Sequence, residues 1–219
     1  MENYYIILST LILFTGFVLI ANKRAVSYIN TFRIQSFLLA ITTGVLGVEI
    51  LLTKGHYQVL IVCLLVFILK VVVYIPNLLN KTQANVEYVV EKGFYASIPL
   101  LILISCGIVA FTFFILSSVE GINTGPINIH LVNSVSVIFI GLLFMISRKK
   151  AIGQIVGLMV IQNGLYITGI YATNGLPLIV ELGAFIDLIT AVIILAMMVF
   201  QLDKEFSSVN IDQLKNLRG

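Results

Sequence analysis

Apolar residues run along this chain in long blocks, each close to the ~20 residues that cross a hydrocarbon core as a helix. Seven such blocks can be marked, at 4–21, 34–53, 57–76, 97–118, 130–147, 152–172 and 177–202. Within them, apolar and polar residues do not alternate with the period of two that a transmembrane barrel strand needs. The pattern predicts an all-α, polytopic membrane protein with seven transmembrane helices. The opening stretch "MENYYIILSTLILFTGFVLIANKR" has no basic residue before its apolar run, and that run is longer than a signal-peptide core. It reads as a retained first helix.

Composition strengthens this picture. Of 219 residues, 59% are hydrophobic and 11% charged, where a soluble domain carries about 25% charged residues. Too few polar side chains remain to cover a globule in water, and mean hydropathy is +1.08. The solvent expected for this chain is the lipid bilayer.

Charge then supplies an orientation. The first connection holds Lys23, Arg24 and Arg33; the third holds Lys81 and Lys92. Arg148, Lys149 and Lys150 fill the fifth, and the tail adds Lys204, Lys215 and Arg218. On the other side only Lys54 stands, and "VEGINTGPINI" and "YATNGLP" carry no basic residue. By the positive-inside rule the N-terminus lies outside and the C-terminus in the cytoplasm. The net charge of +3 therefore marks topology, and no nucleic-acid partner is expected. Cys63 and Cys106 lie in apolar blocks without metal-ligand spacing and read as small hydrophobes. No Gly-rich phosphate loop or histidine cluster is present, so neither a metal nor a cofactor is expected.

Four charged residues fall inside the predicted spans: Glu49, Lys70, Glu181 and Asp187. A charge at mid-bilayer costs about 2.5–3.5 kcal/mol on insertion scales, so such residues face protein or water and often serve transport. With a rise of 1.5 Å per residue, Glu49 and Glu181 lie about 6 Å below the predicted outer ends, and Asp187 and Lys70 lie nearer the middle. Interfacial water is an equally good account of the two glutamates. Lys70 sits among Val66, Phe67, Val73 and Tyr74, either as part of a relay or snorkelling to the near surface. His130 and His56 read as interfacial residues rather than ligands.

Asp187 shares its helix face with Gly183, Ala184, Thr190 and Ala191, small residues that let a neighbouring helix approach. Glu181 lies roughly 120° round the same helix. In the preceding span, Gly153, Gly157 and Gly164 form one narrow packing stripe, with Gln162 on the opposite side and Asn163 on a flank. Both polar residues are level with Asp187 if the two helices run antiparallel. The expectation is that Asp187 meets the Gln162/Asn163 pair directly or through water, for transport or as a structural hydrogen bond.

The stretch "LMVIQNGLYITGIYATNGLPLIVELGAFIDLITAVIIL" resembles hydrogenase-4 component E, the membrane subunit of formate hydrogenlyase and other group 4 membrane-bound hydrogenase complexes. The resemblance is most specific across 152–202: an amide-Asn-Gly step, a loop ending Gly-Leu-Pro, then Val-Glu-Leu-Gly and Phe-Ile-Asp-Leu. The ending "IDQLKNLRG" resembles the family's too, whereas before residue 130 the likeness rests on length and number of crossings. The last three helices are more distantly similar to the small K subunit of complex I and the C subunit of Mrp-type antiporters. The resemblance implies that Glu181 and Asp187 occupy the family's acidic positions in the final helix. It also marks a departure: Gln162 stands where the family has a glutamate, and an amide releases no proton at physiological pH.

On this basis the chain divides into a four-helix membrane region at 1–129, a three-helix subunit K-like region at 130–202 and a cytoplasmic tail at 203–219. The resemblance implies a non-catalytic subunit of an oxidoreductase complex in the cell membrane, partnered by antiporter-like and other membrane subunits and contributing to a proton or sodium path. A structural scaffold and a self-contained small permease are the alternatives. Discontinuous helices or an internal repeat would mark the permease, and the sequence has neither.

Overall fold

The computed structural model describes residues 2–54, 60–61, 96–118, 126–149 and 151–172. Its long elements are all helical: α1 (Glu2–Ala21), α2 (Ala25–Lys54), α3 (Ile98–Ser118), α4 (Pro126–Ser147) and α5 (Ala151–Ala172). Each contains a window long and apolar enough to cross a membrane. The predicted spans at 57–76 and 177–202 lie largely or wholly outside the described residues.

Helix α2 departs from the sequence expectation. It was expected to begin at 34, after a connection containing Arg33, but it reaches back to Ala25 and leaves only Asn22–Arg24 as the turn. The physical reason is a buried stripe in the extra turns. Tyr28, Ile29 and Phe32 enter the core while Arg33 stays exposed on the far side. Asn22 secures the turn, donating to Thr31 Oγ1 at 2.8 Å and accepting from Ser27 Oγ at 3.1 Å. At 30 residues, α2 is about 45 Å long.

The bundle is apolar outside and mixed inside, where a water-soluble one carries its polar groups on the surface. Phe14, Leu103, Phe111, Phe114 and Ile146 are exposed, while Ser9, Gln35, Ser36, Ser105, Asn133 and Asn163 are buried. Many inward hydroxyls return to their own helix's carbonyls, as Thr15 does to Ile12 (2.6 Å), Ser105 to Leu101 (2.7 Å) and Thr112 to Ile108 (2.8 Å). That satisfies them without water, as a hydrocarbon surround requires. In α1 the inward stripe is Tyr5, Ser9, Ile12, Gly16 and Leu19, all buried and spaced alternately four and three apart.

Contacts fix the helix directions. Tyr5 near the start of α1 meets Glu49 near the end of α2, and Ser9 meets His130 near the start of α4. At the other end, Arg148 after α4 reaches the last carbonyls of α1. So α1 and α4 run parallel, and α2 and α5 run against them. Ile12, Leu19, Tyr28, Phe32, Ile140, Phe144, Val156 and Ile167 fill the shared core. The expected division at 129/130 falls within α4, which packs on both α1 and α5.

The α4–α5 interface is the closest in the bundle, and glycine sets its distance. A Cβ on Gly157 would stand 2.7 Å from Met145 Cβ and 2.9 Å from its Cα. One on Gly164 would meet Ile138 Cγ1 at 2.7 Å and the Ser134 carbonyl at 3.0 Å. Gly153 makes room for the Arg148 stem, whose Cβ would lie 2.7 Å from an added methyl. The stripe thus faces α4 along its length.

Candidate functional site

Buried polar side chains occur at three depths along the inward stripes. The first group lies where α1 begins. Tyr5 donates its phenolic hydrogen to the Glu49 carboxylate, and its ring meets His130 edge-on, with centroids 6.3 Å apart at 86°. Glu49 is half-buried and held by protein on at least this side. His130 is 4% exposed, one turn into α4. Its Nδ1 lies 3.1 Å from Ser9 Oγ, and Asn133 Nδ2 donates to the same oxygen at 3.0 Å and to Thr10 Oγ1 at 3.2 Å. The ring is packed among protein side chains, and α4 starts four residues earlier than expected, at Pro126. A turn further along, Thr168 of α5 donates to Ser134 Oγ at 2.9 Å.

The second group lies at mid-depth. Asn163 is 0% exposed, and its amide nitrogen is 3.4 Å from Gln35 Oε1 and 3.4 Å from Ser36 Oγ. Gln35 in turn donates to the Ile12 carbonyl at 3.4 Å. These contacts are longer than the usual ~2.7–3.2 Å of an N–H···O bond. They tie α5 to α2 and α2 to α1 through neutral groups. Gln162, beside Asn163, is also buried. Glu181, Asp187, Lys70 and Gly183 lie outside the described residues, and so does the expected Asp187–Gln162/Asn163 contact.

The third group closes the opposite end. Arg148 is 1% exposed. Its Nη2 donates to the carbonyls of Asn22 (2.6 Å), Ile20 (3.4 Å) and Leu19 (3.5 Å). Its guanidinium lies 4.4 Å from the Phe144 ring centroid and 5.2 Å from that of Tyr28. A residue counted in sequence as a topology marker is therefore also a structural cap on α1.

The arrangement places two ionisable groups, Glu49 and His130, on either side of Tyr5 at one end and amide or hydroxyl groups at the centre. Sequence reasoning singled out Glu49 and Asn163 but missed Tyr5, Ser9, Gln35 and Asn133. A usable signal was present, because Tyr5/Ser9 and His130/Asn133/Ser134 are spaced three or four apart on otherwise apolar helices. Among the described residues, no group of three or more acidic, histidine or cysteine side chains is arranged to hold a metal.

The Asn163–Gln35 contact has a measurable weight. Interhelical hydrogen bonds in membranes average about 0.6 kcal/mol and reach about 1.7. A double-mutant cycle with Asn163→Ala and Gln35→Ala, read by unfolding in mixed micelles, is expected to give a coupling within that range. Zero coupling would mean that the amides are merely neighbours.

No protein-family model matches this chain, and no solved structure matches it. Over 117 residues it is 34% identical to the uncharacterized protein Rv0085 of Mycobacterium tuberculosis, an alignment covering 53% of each chain. The chain thus spans about half the length of the curated relative it matches.

Proposed function

We propose that this chain is a membrane subunit of a multisubunit, ion-translocating assembly related to complex I, of the hydrogenase-4 or formate hydrogenlyase type. It links antiporter-like subunits to the core of that assembly and lines part of a proton or sodium path across the cell membrane. The observation that carries the reading is the succession of buried polar groups through the bundle, from Glu49 and His130 to Gln35 and Asn163. The likeness of residues 152–202 to hydrogenase-4 component E gives that polar interior its proposed context.

In this reading the chain crosses seven times, with its N-terminus outside and its C-terminus cytoplasmic. The helix directions support the count. Helix α2 ends and α4 begins at one end of the bundle, so an even number of crossings separates them. With α3 as one, the reading assigns another to residues 57–76, and residues 177–202 supply the last.

A scaffold role is the second reading, and the mid-depth group favours it. Gln35, Ser36, Gln162 and Asn163 are neutral, and none releases a proton at physiological pH. Purification in mild detergent separates the assembly from a solitary protein: hydrogenase-like or antiporter-like subunits should accompany the chain, and a stable monomer would overturn the proposal. Asp187→Asn, with assembly verified, is then expected to reduce coupled proton or sodium movement on the order of a hundredfold, the scale of a lost proton-transfer group. Undiminished pumping by the intact mutant complex would leave scaffolding.

A further inference from the structure

The two ends of the bundle differ in charge. Among the described residues the acids are Glu2 and Glu49, and both stand where α1 begins. The opposite end has no acid among those residues. It holds Lys23 and Arg24 in the α1–α2 turn, and Arg148 and Lys149 after α4. Far apart in sequence, the two turns are joined by the Arg148 bond to the Asn22 carbonyl at 2.6 Å. Arg148 is buried, whereas Lys23 and Arg24 are exposed.

The turn that presents this exposed pair is short and braced. Asn22 is held by Thr31 and Ser27, and the Arg24 carbonyl accepts from the N–H groups of Ser27 and Tyr28 at 3.0 and 3.1 Å. Folding has already ordered its backbone, so an anion bound there loses little affinity to ordering it. The charge is also held against local electrostatics. Lys23 and Arg24 precede the positive end of α2, and the first turns of α2 and α5 carry no acid to offset them. Position then narrows the choice of anion. The apolar windows stop at Ala21 and resume at Ala25, which puts the pair at the boundary between hydrocarbon and water. Just inside that boundary Val26 is 40% exposed and Ile146 68% exposed. Cations at the boundary with open apolar surface beneath them match a phospholipid, an anionic head above acyl chains. A free phosphate ion would use only the upper half.

We propose that the α1–α2 turn is a docking site for an anionic phospholipid: Lys23 and Arg24 hold the headgroup phosphate, and the acyl chains lie on the apolar surface below. Arg148 braces the site from within through the Asn22 carbonyl, and Lys149 on the adjoining turn adds to the positive field. The site is independent of the assembly proposed above, since it needs only this chain and a bilayer.

Full-length protein in neutral detergent would be titrated with phosphatidylglycerol or with phosphatidylcholine of the same acyl chains, and bound lipid counted by native mass spectrometry. Phosphatidylglycerol is expected to bind about tenfold more tightly or better, since each basic residue near an anionic surface contributes about fivefold. Lys23→Gln/Arg24→Gln should abolish the preference, and Lys23→Gln alone should lower it about fivefold. Lys54→Gln removes one charge at the far end of α2 and should leave it unchanged. Equal binding of the two lipids by the wild type would overturn the proposal and leave the cations as topology markers. A preference that survives the double variant would overturn it too, and so would displacement of phosphatidylglycerol by millimolar inorganic phosphate, which would mean that any soluble anion fits. Should the double variant fail to fold, the single Lys23→Gln decides, and an unchanged preference there counts against the site.

Discussion

Arg148→Leu is expected to destabilise the bundle by about 1–3 kcal/mol, the cost of leaving buried carbonyls without their donor. The last turn of α1 presents carbonyls that no helical N–H can reach, at the negative end of the helix dipole. Arg148 Nη2 reaches two of them, on Leu19 and Ile20, and the Asn22 carbonyl just beyond the helix, and its guanidinium packs on Phe144 and near Tyr28. Leucine would leave those carbonyls beside hydrocarbon and lose the cation–aromatic contacts, each worth up to about 2 kcal/mol when desolvated. Arg148→Lys keeps the charge but not the planar fork, and should fall between leucine and wild type. Thermal unfolding in detergent measures all three. A leucine variant as stable as wild type would mean that the guanidinium is replaceable there by packing alone.

The second large effect is expected at the α4–α5 interface. Gly164→Leu and Gly157→Leu should each prevent these helices from closing. Even alanine at either position should cost about 1–3 kcal/mol, the usual range for overpacking. The clash is with backbone as well as side chain: an added Cβ on Gly164 falls 3.0 Å from both Ile138 N and Ser134 O, and one on Gly157 falls 3.0 Å from Met145 N. Side chains can rotate aside, but these atoms move only if a whole helix shifts. Gly107 is the control, since nothing lies within 4 Å of its added Cβ. There, alanine should stabilise α3 by up to about 1 kcal/mol through helix propensity. Chemical unfolding of the three alanine variants should give two losses and one gain. A loss at Gly107 matching the others would show a general intolerance of glycine replacement, not a contact.

Much of the architecture was legible because a hydrophobic block long enough to cross a bilayer has few other uses. The blocks at 4–21, 97–118 and 152–172 correspond closely to α1, α3 and α5. Helix starts were harder. Pro126 opens α4 at the first helical position, where its missing N–H costs nothing, and that signal was available in "GPINIH". The start of α2 was hidden because Arg33 interrupts the apolar block while Tyr28, Ile29 and Phe32 still face inward. A hydropathy block averages over faces and cannot separate the two. Partner choice was less accessible still. That Asn163 meets Gln35, or that Tyr5 joins Glu49 to His130, depends on how whole helices rotate about their axes. In a bundle apolar outside and mixed inside, the sequence around any one polar residue fixes that rotation weakly.

Helix α2 has a further consequence for the membrane itself. Its ~45 Å exceeds the ~30 Å thickness of a typical acyl layer by about ten residues of rise. Lying upright, it would carry its first turns, with Arg33 at their edge, into the phosphate zone. Leaning over, it would spread the bundle's footprint at that leaflet. In both cases the hairpin tip at Lys23 and Arg24 rides among lipid headgroups, and bilayer thickness becomes a variable to which this protein's packing should respond.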